Sequence, residues 1–174
     1  MSETLTALLT RRSCRNFSDE VPSKEVLEKI LEAGTYAATG MGKQSPIIIA
    51  ITNKELRDQF SKENAKILGN ESIDPFYGAP VVLVVLANKD IPTYLYDGSL
   101  VMGNLMLAAH DLGVASCWIH RAREEFESDF GKQLLKDLGI EGNYEGIGHC
   151  VVGYAAKEIP APIARKEHYV YFVE

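Results

Sequence analysis

The order of the apolar patterns along this chain predicts a layered α/β or α+β domain built on one sheet of four or five strands. Runs of valine, isoleucine and leucine at residues 47–51 and 81–86 are continuous rather than alternating, which is typical of strands covered on both faces. Helical stripes of apolar residues lie before, between and after such runs. At 174 residues we expect one domain, covering residues 1–174. Strand direction cannot be read from this pattern.

The individual elements follow from periodicity and from residues that start or stop helices. Ser2 and Ser23 are suitable N-caps for the first two helices, and Gly34, Gly113 and Gly139 stand where the second, fourth and fifth helical patterns end. The predicted helices cover residues 2–10, 24–34, 53–67, 94–112 and 124–138, and the predicted strands cover residues 47–51, 81–86, 114–119 and 147–154.

Two stretches indicate contact with a second subunit. The helix at residues 94–112 is apolar almost all round, so it is either central and buried or covered on one side by another subunit. The last residues, 169–173, are apolar and β-prone. We expect this tail to add to a sheet edge, in this subunit or in a neighbour.

Composition excludes several classes of function. A net charge of −6 and a pI near 5.3 argue against a general nucleic-acid binder. The longest apolar run, residues 79–87, is short for a membrane span, and no secretory signal opens the chain. Three widely spaced cysteines fit a reducing cytoplasm, and no metal, Rossmann or P-loop motif is present.

Three arginines and a serine fall within residues 11–15. Arginine presents a fork of donors that fits a phosphate, and Ser13 adds a hydroxyl between Arg12 and Arg15. This stretch is either an anion-binding corner or a set of surface arginines paired with some of the 24 acidic residues.

Polar residues in three other places are candidates for ligand contact. In the loop 37–46, small residues let the backbone approach a flat ligand and Gln44 offers an amide, but the loop is also an ordinary connection. Asn64 lies on the inner side of a helix and is either a structural bridge or a ligand contact. His120 follows a strand end, where layered α/β domains hold ligands.

These segments together resemble the nitroreductase family of flavin-dependent oxidoreductases. Residues 11–17 (Arg-Arg-Ser-Cys-Arg-Asn-Phe) resemble the signature Arg-Arg-Ser-x-Arg-x-Phe, and the loop 37–46 is similar to Ala-Pro-Ser-Gly-x-Asn-x-Gln-Pro-Trp. The order and spacing of the motifs, which cover nearly the whole chain, make the resemblance specific. The further matching segments are residues 26–33, Ala79-Pro80, Leu112-Gly113 before residues 116–119, and Gly153-Tyr154 with the later Arg165.

The resemblance implies a three-layer α+β fold with a mixed or antiparallel sheet, a homodimer with FMN at its interface, and a C-terminal tail that extends onto the partner. It also implies ping-pong transfer of electrons from NAD(P)H through FMN to a nitroaromatic, a quinone or an unidentified small-molecule acceptor in the cytoplasm. Two alternatives stay open: a non-redox protein that stores or senses FMN, and a flavoprotein reduced by ferredoxin.

The resemblance also implies a role for each candidate residue. The arginine stretch with Arg165 would hold the FMN phosphate and ribityl chain, the Gln44 loop would meet the isoalloxazine ring from the partner, and Ile119 and His120 would contact the flavin. The general chemistry of histidine makes His120 the best catalytic candidate, as a proton donor or as an electrostatic partner of reduced flavin. Cys14 would point away. The implied FMN contacts are Arg11, Arg12, Ser13, Arg15, Thr39, Gly40, Gly42, Gln44, Asn64, Ile119, His120 and Arg165.

The loop departs from the family pattern at several positions. Gly42 stands where the family has asparagine, which removes one side-chain amide near the flavin. Ser45-Pro46 replaces Pro-Trp, and Ala37-Ala38 replaces Ala-Pro.

Overall fold

The computed structural model describes residues 1–174, which form six α-helices and four strands. A short 3₁₀ turn at Gly40–Gly42 precedes the first strand. The helices are α1 (Glu3–Thr10), α2 (Lys24–Thr35), α3 (Lys54–Leu68), α4 (Tyr94–Asp111), α5 (Ala122–Glu127) and α6 (Asp129–Asp137). The strands are β1 (Pro46–Ile51), β2 (Val81–Asn88), β3 (Ala115–Ile119) and β4 (Tyr144–Gly153).

The four strands form one antiparallel sheet in the order β1-β2-β4-β3. The α+β prediction and the four- to five-stranded sheet are therefore confirmed. β2 lies in the interior and is buried from Val81 to Ala87, which explains its unbroken apolar run. β1 and β3 are the edge strands, each with one strand partner.

Helices cover both faces of this sheet, so the fold has three layers. Alternate residues of β2 face opposite sides. Val82 and Val84 pack with Phe60 of α3, while Val81 and Leu83 pack against α2 and α4. The polar helix α3 and the short helices α5 and α6 thus share one face, and the apolar helix α4 lies on the other.

The predicted N-caps are present, but one predicted helix is two. The hydroxyls of Ser2 and Ser23 accept from backbone amides in the first turns of α1 and α2. Residues 124–138 were expected to form one helix, which is wrong, because Ser128 is extended and caps α6 as a second helix. Gly131 makes the sharp junction possible, since a Cβ there would lie 2.4 Å from the carbonyl oxygen of Glu125.

A large apolar surface stays exposed in the single chain. The tail beyond residue 155 forms no strand within its own chain, and Phe172 is 86% exposed. None of the six helices combines the length and the apolar character that a membrane-spanning helix needs. The exposed large apolar side chains on the first helix, on α4 and in the tail include Leu5, Leu8, Leu9, Leu95, Tyr96, Leu100, Tyr169, Val170, Tyr171, Phe172 and Val173.

Candidate functional site

The arginine stretch leaves the end of α1 and runs beside the edge strand β3. The backbone amide of Cys14 donates to the carbonyl oxygen of Ser116 at 2.9 Å, and Ser13 forms a β-bridge with the same residue. Cys14 is buried, with its thiol donating to the carbonyl of Asn16. Where the segment is extended, alternation of side chains places Arg11, Ser13 and Arg15 on the side opposite to the buried Cys14.

The C-terminal segment closes the same corner. A depression of about 320 Å³ is lined by the arginine stretch and by residues 160–165 of the tail. The structure therefore brings together residues that are about 150 positions apart in the chain. The charged and polar members of this arginine corner are Arg11, Arg12, Ser13, Arg15 and Arg165.

The arginines of this corner have no carboxylate partner. None of the four takes part in a salt bridge; every such pair in the protein uses other cations. Nη1 of Arg11 and Nε of Arg12 are buried and lack any hydrogen-bond partner. The sequence also allowed these arginines to be surface residues that pair with acidic side chains. This geometry rules out that alternative. Buried donors without partners need an acceptor.

The Gln44 loop lies before β1, on the opposite edge of the sheet. Met41, Gly42 and Gln44 have φ values of +53°, +64° and +48°, so three of four successive residues adopt the left-handed conformation. The hydroxyl of Thr39 accepts from the Gln44 amide at 3.1 Å, and Gln44 itself is exposed. Thr39 and Gln44 border a cavity of about 350 Å³ between α2 and β1.

The third group of candidates surrounds the turn after β3. The imidazole of His120 is exposed and makes no hydrogen bond within the chain. Asn64 is fully buried; its amide nitrogen donates to the carbonyl of His120 at 2.9 Å, and its oxygen accepts from Nε of Arg121 at 2.8 Å. Its polar atoms are thus engaged within the chain, which favours the structural bridge over a ligand contact. Arg121 is left-handed, with φ +79°.

Ile119 is 5% exposed and packs in the core, so only its backbone is directed to this turn. Its carbonyl oxygen lies 3.3 Å from Nδ1 of His149, while Nε2 of His149 lies 2.5 Å from Oε2 of Glu125. The side chains of this His–Glu pair are completely buried. Sequence reasoning missed it because His149 stands in an apolar strand run and Glu125 in an ordinary amphipathic helix.

The sheet order separates the Gln44 loop from the other two groups. Three strand spacings lie between β1 and β3, which corresponds to roughly 14 Å. The arginine corner and His120 share the β3 edge, since Ser116 and Ile119 are three residues apart on that strand, about 10 Å.

Comparison with known proteins identifies the family. The sequence profile described as the nitroreductase family matches residues 8–154. The chain belongs to the nitroreductase family. A relative from Archaeoglobus fulgidus, provisionally described as an NADH dehydrogenase/NAD(P)H nitroreductase, is 30% identical over 165 residues, 91% of this chain and 88% of the relative.

Solved structures of nitroreductases have the same fold. A nitroreductase with bound FMN from Desulfitobacterium hafniense is 29% identical, with a TM-score of 0.89 over 100% of both chains. A second, with bound FMN from Bacteroides fragilis, is 24% identical, with a TM-score of 0.92 over 100% of both chains. The family resemblance and the fold expected from the sequence are thus confirmed.

Proposed function

We propose that this nitroreductase-family chain is a single FMN-binding domain that acts as a homodimeric oxidoreductase. It takes electrons from NADH or NADPH and passes them, in a ping-pong cycle, to a nitroaromatic, a quinone or another small acceptor. The observation that carries the proposal is the arginine corner, where cations converge without any carboxylate to neutralise them.

The residues of the corner fit a flavin mononucleotide phosphate. Buried Nη1 of Arg11 and Nε of Arg12 are donors without acceptors, and Arg15 and Arg165 add positive charge at the same depression. A phosphate supplies several acceptor oxygens and a double negative charge, which matches this donor set. The hydroxyl of Ser13 lies between the arginines and provides a further short donor.

Bound FMN supplies hydride and single-electron chemistry, and the protein binds and orients it. In this proposal the Gln44 loop meets the isoalloxazine ring, with Thr39, Gly40 and Gly42 beside Gln44 in the same loop; the Gly40 amide is not itself available, because it donates to Asp97. His120 has an exposed imidazole at the end of β3 that makes no hydrogen bond within the chain, so it can give a proton to a reacting atom or balance negative charge.

The apolar surface left exposed by the chain supports a dimer. Scattered exposed apolar side chains are normal, but this set is concentrated on α1, α4 and a five-residue stretch of the tail. β1 also has an unpaired edge, to which the residues 169–173 of a partner can add by backbone hydrogen bonds. The same dimer would bring the Gln44 loop of one chain toward the β3 edge of the other.

An anaerobic titration of the purified protein tests the proposal. We expect a yellow protein with about one FMN per chain, whose visible absorption is bleached by NADH, NADPH or both. Addition of a quinone or a nitroaromatic should then restore the absorption, as a ping-pong cycle requires. Light scattering on the same sample should give the mass of two chains.

The outcomes separate this function from its alternatives. Flavin that stays oxidised with both nicotinamides refutes nicotinamide-dependent activity. If reduced ferredoxin alone bleaches the flavin, the protein belongs to a different electron-transfer chain. If no biological donor reduces tightly bound FMN, storage or sensing is the correct function. A colourless protein that does not take up FMN refutes the proposal altogether.

A further inference from the structure

Asp97 carries a buried carboxylate that no cation neutralises. It lies in the first turn of α4, is 2% exposed and forms no salt bridge. Its oxygens instead accept from the backbone amide of Gly40 at 2.9 Å, the hydroxyl of Ser45 at 2.7 Å and the hydroxyl of Thr93 at 3.1 Å. A buried charge is costly unless hydrogen bonds satisfy it, so these donors and the carboxylate hold one another in place.

The protonation state of Asp97 agrees with this arrangement. Burial acts to raise the pKa of the carboxyl, but the hydrogen bonds from Gly40, Ser45 and Thr93 outweigh it and lower the pKa below its usual value. The amino-terminal end of α4 also favours a negative charge. The carboxylate is therefore ionised at neutral pH and accepts all three hydrogen bonds.

Two of the three donors stand at the two ends of the Gln44 loop. Gly40 precedes, and Ser45 follows, the four residues that include the left-handed Met41, Gly42 and Gln44. Residues other than glycine rarely adopt this conformation, and they persist in it only where surrounding contacts impose it. The Asp97 carboxylate accepts hydrogen bonds from both ends of the segment, so it is such a contact.

The third donor explains the glycine at position 40. A Cβ on Gly40 would lie 2.2 Å from the hydroxyl oxygen of Thr93, so any side chain there would displace this donor to Asp97. Ser45 stands where the family pattern has proline, which has no hydroxyl. Ser45 and the Asp97 carboxylate therefore belong to one hydrogen-bonded cluster. We call this cluster the Asp97 anchor, and it consists of Gly40, Ser45, Thr93 and Asp97.

We propose that Asp97 is a positioning residue, which clamps both ends of the loop 40–45 and so sets where Gln44 is presented to the flavin. This inference rests on the proposed function. Asp97 does not touch the cofactor; it acts through the loop that does. Hydride transfer depends steeply on the placement of the reacting rings, so release of the loop should slow flavin reduction more than it reduces flavin content.

Three variants test the anchor. Asp97→Ala removes the acceptor of all three hydrogen bonds, and Ser45→Ala removes one bond and keeps the charge, so it remains informative if the first variant folds poorly. Asp97→Asn is the conservative rescue, because its oxygen can accept from the Gly40 amide and its amide can donate to the Ser45 hydroxyl.

Asp74→Asn is the matched control. Asp74 also holds a loop through a serine hydroxyl, that of Ser61 at 2.6 Å, and through the backbone amides of Phe76 and Gly78. It differs from Asp97 in that it also pairs with the guanidinium of Arg57 at 2.6 Å. It lies beyond α3, on the face of the sheet opposite α4. Its substitution should lower stability without altering the Gln44 loop or the flavin.

Two readouts are measured on each variant. Hydrogen exchange of the Gly40 and Gln44 amides should accelerate about tenfold or more in Asp97→Ala, less in Ser45→Ala and least in Asp97→Asn. Stopped-flow reduction of bound flavin by nicotinamide should slow about ten- to a hundredfold in the same order, at unchanged FMN content.

The results distinguish failure of the anchor from failure of the function. Unchanged exchange in both alanine variants, or faster exchange with unchanged flavin reduction, overturns the positioning role. If flavin reduction slows equally in Asp74→Asn, the slowing in the Asp97 and Ser45 variants reflects general destabilisation, and the positioning role is also overturned. If the wild-type protein holds no reducible flavin, the proposed function fails, and with it the positioning role toward a cofactor, whatever the exchange rates are.

Discussion

Replacement of Arg11 by alanine tests the arginine corner most directly. Nη1 of this side chain is buried and has no partner, and the guanidinium makes no salt bridge that would be lost. The variant should therefore keep the stability of the FMN-free protein, within the range of about 0.5 kcal/mol usual for surface changes. Loss of one charge-assisted hydrogen bond to phosphate costs about 1.5–3 kcal/mol, which weakens FMN binding about 10- to 150-fold.

The assay is fluorescence titration of the FMN-free protein with FMN and, separately, with riboflavin, which lacks the phosphate. Arg11→Ala should weaken FMN by the stated factor and leave riboflavin unchanged. Arg123→Ala removes another arginine, which lies on α5 and pairs with Glu127, and it should affect neither ligand. Equal weakening of both flavins, or an FMN affinity that does not change, would refute the phosphate role.

Two further predictions concern assembly and the buried core. Truncation after Arg165 should shift the protein toward the monomer and lose FMN, because it removes the exposed apolar tail; a stable, yellow, truncated dimer seen by light scattering would contradict this. His149→Leu should destabilise the protein by about 3–5 kcal/mol in urea denaturation, since it leaves the carboxyl of Glu125 buried with neither oxygen partnered. The double variant with Glu125→Leu should recover much of that loss, and a double variant as unstable as the single one would refute the reasoning.

The fold was predictable because the local sequence preference of most elements agrees with the position that each takes in the fold. The buried run of β2, the serine caps of α1 and α2 and the stripe of α2 each specify the element that forms there. Strand order and antiparallel pairing were not predictable, since period and burial say nothing about which strands become neighbours. The split at Ser128 was missed because the apolar stripe continues across it, and only the close approach at Gly131 makes the break visible.

The grouping of the arginine corner was predictable from the sequence, and the hydrogen bonds that hold the Gln44 loop were not. Clustered arginines and a distant Arg165 carry chemistry that can be recognised in sequence, and the structure brings them to one depression. Asp97 was visible only as a polar exception in an apolar helix, because the loop that it holds lies some 50 positions earlier in the chain. The buried pair of Glu125 and His149 gives no local signal at all, since hydrogen bonds across a core depend on the packing of elements.

If the proposed function is correct, the placement of the candidate residues on opposite edges of the sheet would couple assembly to cofactor binding. The arginine corner lies at β3 and the Gln44 loop at β1, and in the proposed dimer the two groups that meet at one FMN come from different chains. If FMN binds the dimer more tightly than the monomer, linkage requires that FMN strengthen the dimer by the same factor. The exposed tail and the Asp97 anchor then act on one equilibrium from two directions. In this proposal the tail brings the second chain into contact, and the Asp97 anchor holds the Gln44 loop of that chain in its shape before the flavin binds.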